Sequence, residues 1–253
     1  MPPPDLPSAT AEYRRALSPG WSDYHRLLVV DDDGRSALAM QVGIHSATAS
    51  AGMPPAGGPD SARFLCAYFR AGELPVVLAD DDIVAPKQRW ELRTTGLWAD
   101  MICEQPFRHW SYGLEAFGLA IDEPEELLGR AYGQRVPLGW ELDFEASEQE
   151  LFPWDPADGY GQPGTADGLV LLADRSVPLH GSAVRQHWWG PLSATPFGHL
   201  DQQAEELLRS GPRSAEQART EVALPMPSAV WWLVHDGHAL VSTTVPESDP
   251  EIG

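Results

Sequence analysis

Between Val136 and Glu145 the chain alternates: Val136, Leu138, Trp140, Leu142 and Phe144 are apolar, Gly139, Glu141 and Asp143 separate the last four of them, and Glu145 follows. A period of two over this length fits an antiparallel strand with one buried face and one acidic, solvated face. Shorter β-like runs fill most of the remaining chain. His25 to Val30 and Ser36 to Ile44 flank Asp31-Asp32-Asp33-Gly34, and Val230 to His235 and Ala239 to Val245 flank Asp236-Gly237. Asp-Gly supplies the positive φ angles that a tight hairpin needs. Further runs lie at Arg63–Phe69, Leu74–Ala79, Arg89–Thr94, Leu97–Cys103, His109–Ile121, Leu169–Ala173 and Val177–Trp188. No fixed-period repeat is visible, so the pattern predicts an all-β protein, as one large sandwich or two smaller barrels in series.

Helical signals are few. Short helices are expected over Ala11–Leu17, after Asp122 up to Gly129, and after Asp201 up to Gly211-Pro212. Gly- and Pro-rich loops are expected over Ser50–Asp60 and Pro153–Gly168. The turn signals at 122–132 mark a boundary between an N-terminal domain (21–122) and a C-terminal one (132–246), the latter with a helical insertion near 199–219. A chain of 253 residues is long enough to bury a core in either arrangement.

Charge narrows the partners. Lys+Arg number 17 against 37 Asp+Glu, a formal net charge of −20, and Lys87 is the single lysine. Such a surface cannot displace counterions from nucleic acid, and it offers no polybasic anchor for a membrane. No apolar run is long enough to span a bilayer. The opening MPPPDLPSATAEYRR lacks a signal-peptide core, and Cys66 and Cys103 lack CxxC spacing, so a reduced cytoplasmic setting is expected.

Two segments carry more polar and aromatic character than a plain sheet needs. In Glu104–Glu115, His109, Ser111, Gly113 and Glu115 share one strand face, while Trp110, Tyr112 and Leu114 share the other. Phe117, Leu119 and Ile121 continue the His109 face. One reading therefore points His109 and Glu115 into an apolar cavity, where burial would raise a carboxyl pKa into acid–base range. The other has the buried face switch partway along, leaving both in solvent or in ordinary hydrogen bonds. In His180–Pro191, Ala183, Arg185 and His187 share a side. Arg185 and His187 then form either the polar floor of a pocket walled by Trp188 and Trp189, or part of a core strand whose Arg is paired with an acid. Arg185 beside His187 speaks against a metal there. Gly159–Gly164 spells GxGxxG, but with no strand before it and no helix after it, it reads as a loop and not a nucleotide site.

The run Arg185-Gln186-His187-Trp188-Trp189-Gly190, with Gly181 upstream, resembles a signature of AttH and carotenoid-hydratase (hydroxyneurosporene synthase) proteins. The stretch from Leu97-Trp98-Ala99-Asp100 to Trp110 and Glu115 is similar to relatives in that group. The resemblance implies two packed lipocalin-like β domains and a hydrophobic ligand. The family pattern carries an acid just before the histidine, where this chain has Gln186, which cannot donate an acidic proton. The expected function is binding of a polyketide-, terpenoid- or steroid-like molecule in a Trp-lined cavity without a cofactor. Arg185 and His187 are its anchors, joined by His109, and Trp110, Tyr112, Trp188 and Trp189 are its walls. The alternatives are a cofactor-independent hydratase, isomerase or cyclase using Glu115 or Glu104 with His187 or His109, and a structural module whose Trp residues are core.

Overall fold

The computed structural model describes residues 9–14, 17–33, 35–46, 60–70, 73–87, 89–122, 133–147, 152–153, 159–191, 220–226, 229–235 and 239–244. The described chain is nearly all strand. A single 3-10 turn, Ala9–Glu12, comes first. It is followed by β1 (Trp21–Asp31), β2 (Ser36–His45), β3 (Ser61–Arg70), β4 (Val76–Val84), β5 (Trp90–Thr94), β6 (Leu97–Gln105) and β7 (His109–Ala120). Next come β8 (Gln134–Ala146), β9 (Phe152–Pro153), β10 (Gly159–Leu172) and β11 (Arg175–Pro191). Strands β1 to β11 form one antiparallel sheet. A separate sheet joins β12 (Thr220–Met226), β13 (Ala229–His235) and β14 (Ala239–Thr244), and β14 lies beside β2. Among the described residues no helix is long and apolar enough to cross a membrane.

The large sheet closes on itself. Its order runs β4-β3-β2-β1-β11-β10-β8-β7, and the start of β4 pairs the end of β7 through Val76↔Ala120 and Val77↔Leu119. The first part of that same β7 edge is taken by β6, from Leu97↔Ala116 to Gln105↔His109, with β5 paired outside it. The all-β expectation is met. The boundary expected at 122–132 is not a break in this sheet: β7 pairs β8 across it, and β1 pairs β11. The expected helix over Ala11–Leu17 is the shorter 3-10 turn, and the expected helices near 122–129 and 201–211 fall outside the described residues.

The strand alternation fills the interior. Leu27 and Val29 of β1 line up with Met40 and Leu38 of β2, then Cys66 and Tyr68 of β3. Trp110, Tyr112 and Leu114 of β7 meet Phe144, Leu142 and Trp140 of β8. All belong to one buried cluster. The outer faces of β1 and β3 are buried as well, at Leu28, Val30, Leu65 and Phe69.

One expectation is overturned in an informative way. Most of the loop expected at Pro153–Gly168 is strand β10. Pro163 is tolerated because it falls where the pairing with β9 has stopped and that with β8 begins, so its missing N–H costs no ladder bond there. Its carbonyl still accepts from Ser147 N at 3.0 Å. Gly164, the last residue of the GxGxxG run, lies against the Glu145 carbonyl oxygen and the Phe144 ring, and a Cβ built there would meet the backbone oxygen first and lie 2.6 Å from the ring. Gly164→Ala is therefore expected to destabilise the fold by about 1–3 kcal/mol through overpacking. Urea denaturation checks it, and a variant as stable as wild type would show that the β8 backbone at Glu145, as well as Phe144, shifts without cost.

Candidate functional site

One end of the barrel interior is polar. On β1, Asp23 and His25 lie on the same side as Leu27 and Val29, and on β11, Arg185 and His187 lie on the same side as Ala183. The antiparallel register sets His25 opposite His187, and β10 adds Tyr160 opposite His187 and Gln162 opposite Arg185. The 3-10 turn delivers Glu12 into the same space. Glu12, Asp23, His25, Arg185 and His187 are buried to within 0 % exposure.

Glu12 is the hub. Its Oε2 accepts from Trp110 Nε1 at 2.6 Å. Its Oε1 accepts from Arg185 Nη2 at 2.9 Å and from the Tyr160 hydroxyl. Burial pushes the Glu12 pKa up, but the Arg185 charge and the hydrogen bonds from Tyr160, Arg185 and Trp110 outweigh it and hold the group below the usual carboxylate range. Burial works against the Arg185 charge, while the Glu12 carboxylate and its hydrogen bond stabilise it. The guanidinium also donates to Gln162 Oε1 and stacks over the Trp110 ring at 4.9 Å. Among the described residues its Nε and Nη1 have no hydrogen-bond partner.

A second chain of contacts leads away from Glu12. Tyr160 faces His187 Nδ1 at 3.3 Å, and His187 Nε2 sits 2.8 Å from Asp23 Oδ1. His25 stacks on His187 with centroids 5.8 Å apart, and its Nε2 lies 2.8 Å from the Tyr112 hydroxyl. Burial, helped by the nearby Arg185 and His187, holds the His25 pKa well below the ordinary imidazole value. Burial likewise raises the Tyr160 and Tyr112 hydroxyls, so both are donors at neutral pH.

The β6–β7 turn closes the same end. Phe107 sits at φ 58°, a left-handed conformation that is strained for a bulky residue. That geometry lets its carbonyl accept from Gln162 Nε2 at 2.8 Å while its ring packs on Tyr160. Beside the cluster, where β5 ends its pairing with β6, a cleft of about 390 Å³ opens between Tyr13, Trp90, Met101, Cys103 and Trp110. Arg89, Glu91 and Asp100 give its lining charge of both signs. Trp90 separates cleft from cluster, with its ring edge-on to both His25 and His187. Burial beside Glu12 pushes the Cys103 thiol up to about 11, so it is not a ready nucleophile.

The sequence candidates therefore divide. Arg185, His187, Trp110 and Tyr112 come together in the polar end, and Trp189 packs on His187 with centroids 5.1 Å apart. The Trp188 side chain lies outside what is described. The cavity-facing reading of His109 and Glu115 does not hold: both are on the outer face of β7. His109 is 3.2 Å from Asp143 Oδ1 on the neighbouring strand, and Glu115 is exposed. The face is set by Trp110, Tyr112 and Leu114, because Phe117 is exposed under the Arg135 guanidinium instead of buried. Glu104 is exposed too, past the last residue that β5 pairs. Glu12, Asp23, His25, Tyr160 and Gln162 were not anticipated. For Asp23 and His25 a signal existed, since both share the strand parity of Leu27 and Val29. Among the described residues no set of three His, Cys, Asp or Glu side chains is arranged to hold a metal ion.

Comparison with known protein families, with curated proteins and with solved structures returns no match.

Proposed function

We propose that the polar end of the barrel and its adjoining cleft bind a hydrophobic small molecule, of the polyketide, terpenoid or steroid size class. The observation that carries this reading is a fully buried Glu12–Arg185 pair lying against a cleft walled by Trp90 and Trp110. A buried ion pair contributes little net stability compared with apolar residues of the same volume, so folding alone does not explain it. A cleft with aromatic walls and a few convergent polar and charged groups is a common form of small-molecule site. The resemblance of the Arg185–Gly190 run to AttH and carotenoid-hydratase proteins supports the same reading.

The neutral fluorescent probe N-phenyl-1-naphthylamine tests it. The probe should bind wild-type protein and quench tryptophan emission, because Trp90 and Trp110 border the cleft. Cys103→Trp, which fills the cleft from β6, should weaken probe binding about tenfold or more, the loss expected when an apolar contact surface is blocked. Equal binding by both proteins would place the probe elsewhere and remove the cleft from the proposal.

The alternative is acid–base chemistry on such a ligand, as a cofactor-independent hydratase, isomerase or cyclase. What favours it is the Asp23–His187–Tyr160–Glu12 chain, which links an oriented imidazole to a phenol held in its protonated form. Glu104 and Glu115 play no part in this version. Tyr160→Phe keeps the ring and interrupts the chain, so it separates the two readings: retained ligand with lost turnover points to the enzyme.

A further inference from the structure

We infer that the Glu12 carboxylate stands in for a ligand's carboxylate, so that the barrel end is a receptor for an apolar carboxylic acid and the N-terminal turn is its built-in competitor. The inference rests on the small-molecule reading above and adds the chemistry of the head group.

The donors that hold Glu12 all belong to the barrel. Trp110 is on β7, Tyr160 on β10 and Arg185 on β11, and they converge on both oxygens of one carboxylate. Gln162 accepts from the guanidinium and donates to the Phe107 carbonyl, which fixes the fork in place. The barrel thus supplies the charge and the hydrogen bonds that a carboxylate needs in a water-poor site. Glu12 itself does not use the whole receptor. It meets the guanidinium through Nη2 alone, while Nε and Nη1 are buried without a hydrogen-bond partner among the described residues. A two-point grip would engage a second of these donors, and a free carboxylic acid is not tied to a backbone that limits its approach.

The competitor is also placed at the entrance. Tyr13, the next residue, lines the cleft, and Trp110 touches both the Glu12 carboxylate and the cleft. The turn spans Ala9–Glu12 only, and just beyond it Arg14 is tied to Asp60 at 3.1 Å and to the Lys87 carbonyl at 2.8 Å. Those ties hold the chain near the mouth whether or not Glu12 is docked. An acid whose tail occupies the cleft and whose head takes the Glu12 position would keep the same charge balance around Arg185. It would release the turn instead of burying an extra charge, which a site of this kind could not accept.

Paired probes differing only in the head group test this: sodium decanoate and 1-decanol, titrated calorimetrically into full-length wild type, Glu12→Ala and Glu12→Gln. Removing the internal competitor should raise the preference for decanoate over decanol about tenfold or more in Glu12→Ala, as expected when a competing bound state is abolished. Glu12→Gln, which keeps the side-chain volume but not the charge, should show an intermediate gain and covers the case in which the alanine variant fails to fold. In wild type, decanoate should speed amide hydrogen exchange over residues 9–14, and decanol should not. If both probes bind all three proteins with an unchanged preference, the carboxylate assignment is wrong and the hydrophobic site survives. If neither probe binds any of them, both proposals fall together.

Discussion

Arg185→Met is expected to destabilise the protein by about 3–5 kcal/mol, because it leaves the Glu12 carboxylate buried without its counter-charge. For a chain of this size that corresponds to a fall of roughly 6–20 °C in Tm. Methionine retains much of the arginine stem but not the guanidinium that lies over Trp110, so the loss reports on the charge together with that ring contact. The double variant Glu12→Gln/Arg185→Met should recover most of it, since no uncompensated charge remains. Urea denaturation of wild type, both single variants and the double variant completes the cycle. Simple additivity would mean that the two groups do not depend on each other, and the account of the cluster as a paired site would fail.

Acid should unfold this protein earlier than its carboxylates alone require. His25 is held neutral by burial and by the neighbouring Arg185 and His187. Burial, with Arg63 nearby, also brings His45 down to about 4. A depressed folded-state pKa means that the unfolded chain binds the proton first. The associated stability is present in full above the unfolded-state value near 6.5, and it is lost as the pH falls below that towards the folded-state values. Each histidine contributes up to about 1.4 kcal/mol per pH unit in that window. Glu12 adds a loss of the same sign at lower pH, below the ordinary carboxylate value of 4.5, because its folded-state pKa is also depressed. Stability measured from pH 7 to pH 5 should fall more steeply for wild type than for His25→Gln, which has nothing to titrate at that position. Parallel curves would show that His25 takes up its proton in the folded state.

The strands were legible because their signal is local. Hairpin β1–β2 and strands β7 and β8 follow from alternation and from turn residues within a few positions of the ends. Strand β10 was hidden because Gly161, Pro163, Gly164 and Gly168 read as loop residues in isolation. What makes them a strand is close approach of Gly164 and Gly168 to the β8 backbone, with Phe144 beside Gly164, and the switch of partner from β9 to β8, and both are properties of the assembled sheet. The site divides in the same way. Arg185 and His187 stood out because two adjacent polar positions shared a face with Ala183. Glu12 carried no signal at all, since its partner lies 173 residues away and the turn that bears it has no period. The face of β7 was ambiguous because Phe117 and Leu119 argue for one side and Trp110 and Tyr112 for the other. Burial of the larger aromatic pair decided it.

The pairing of β1 with β11 has a consequence for the order of events at the ribosome. Strands β1 to β4 can form as a meander of successive hairpins as soon as they emerge, but the open edge of β1 has no neighbour until Arg175–Pro191 has been made. At ~5–20 residues per second that edge waits many seconds with its backbone groups unpaired. Asp23 and His25 sit on that waiting strand at successive inward-facing positions, two residues apart. They keep the nascent edge from being a purely apolar template for a second chain. The same side chains that complete the polar cluster once β11 has been made are thus expected, earlier, to discourage premature association between growing chains.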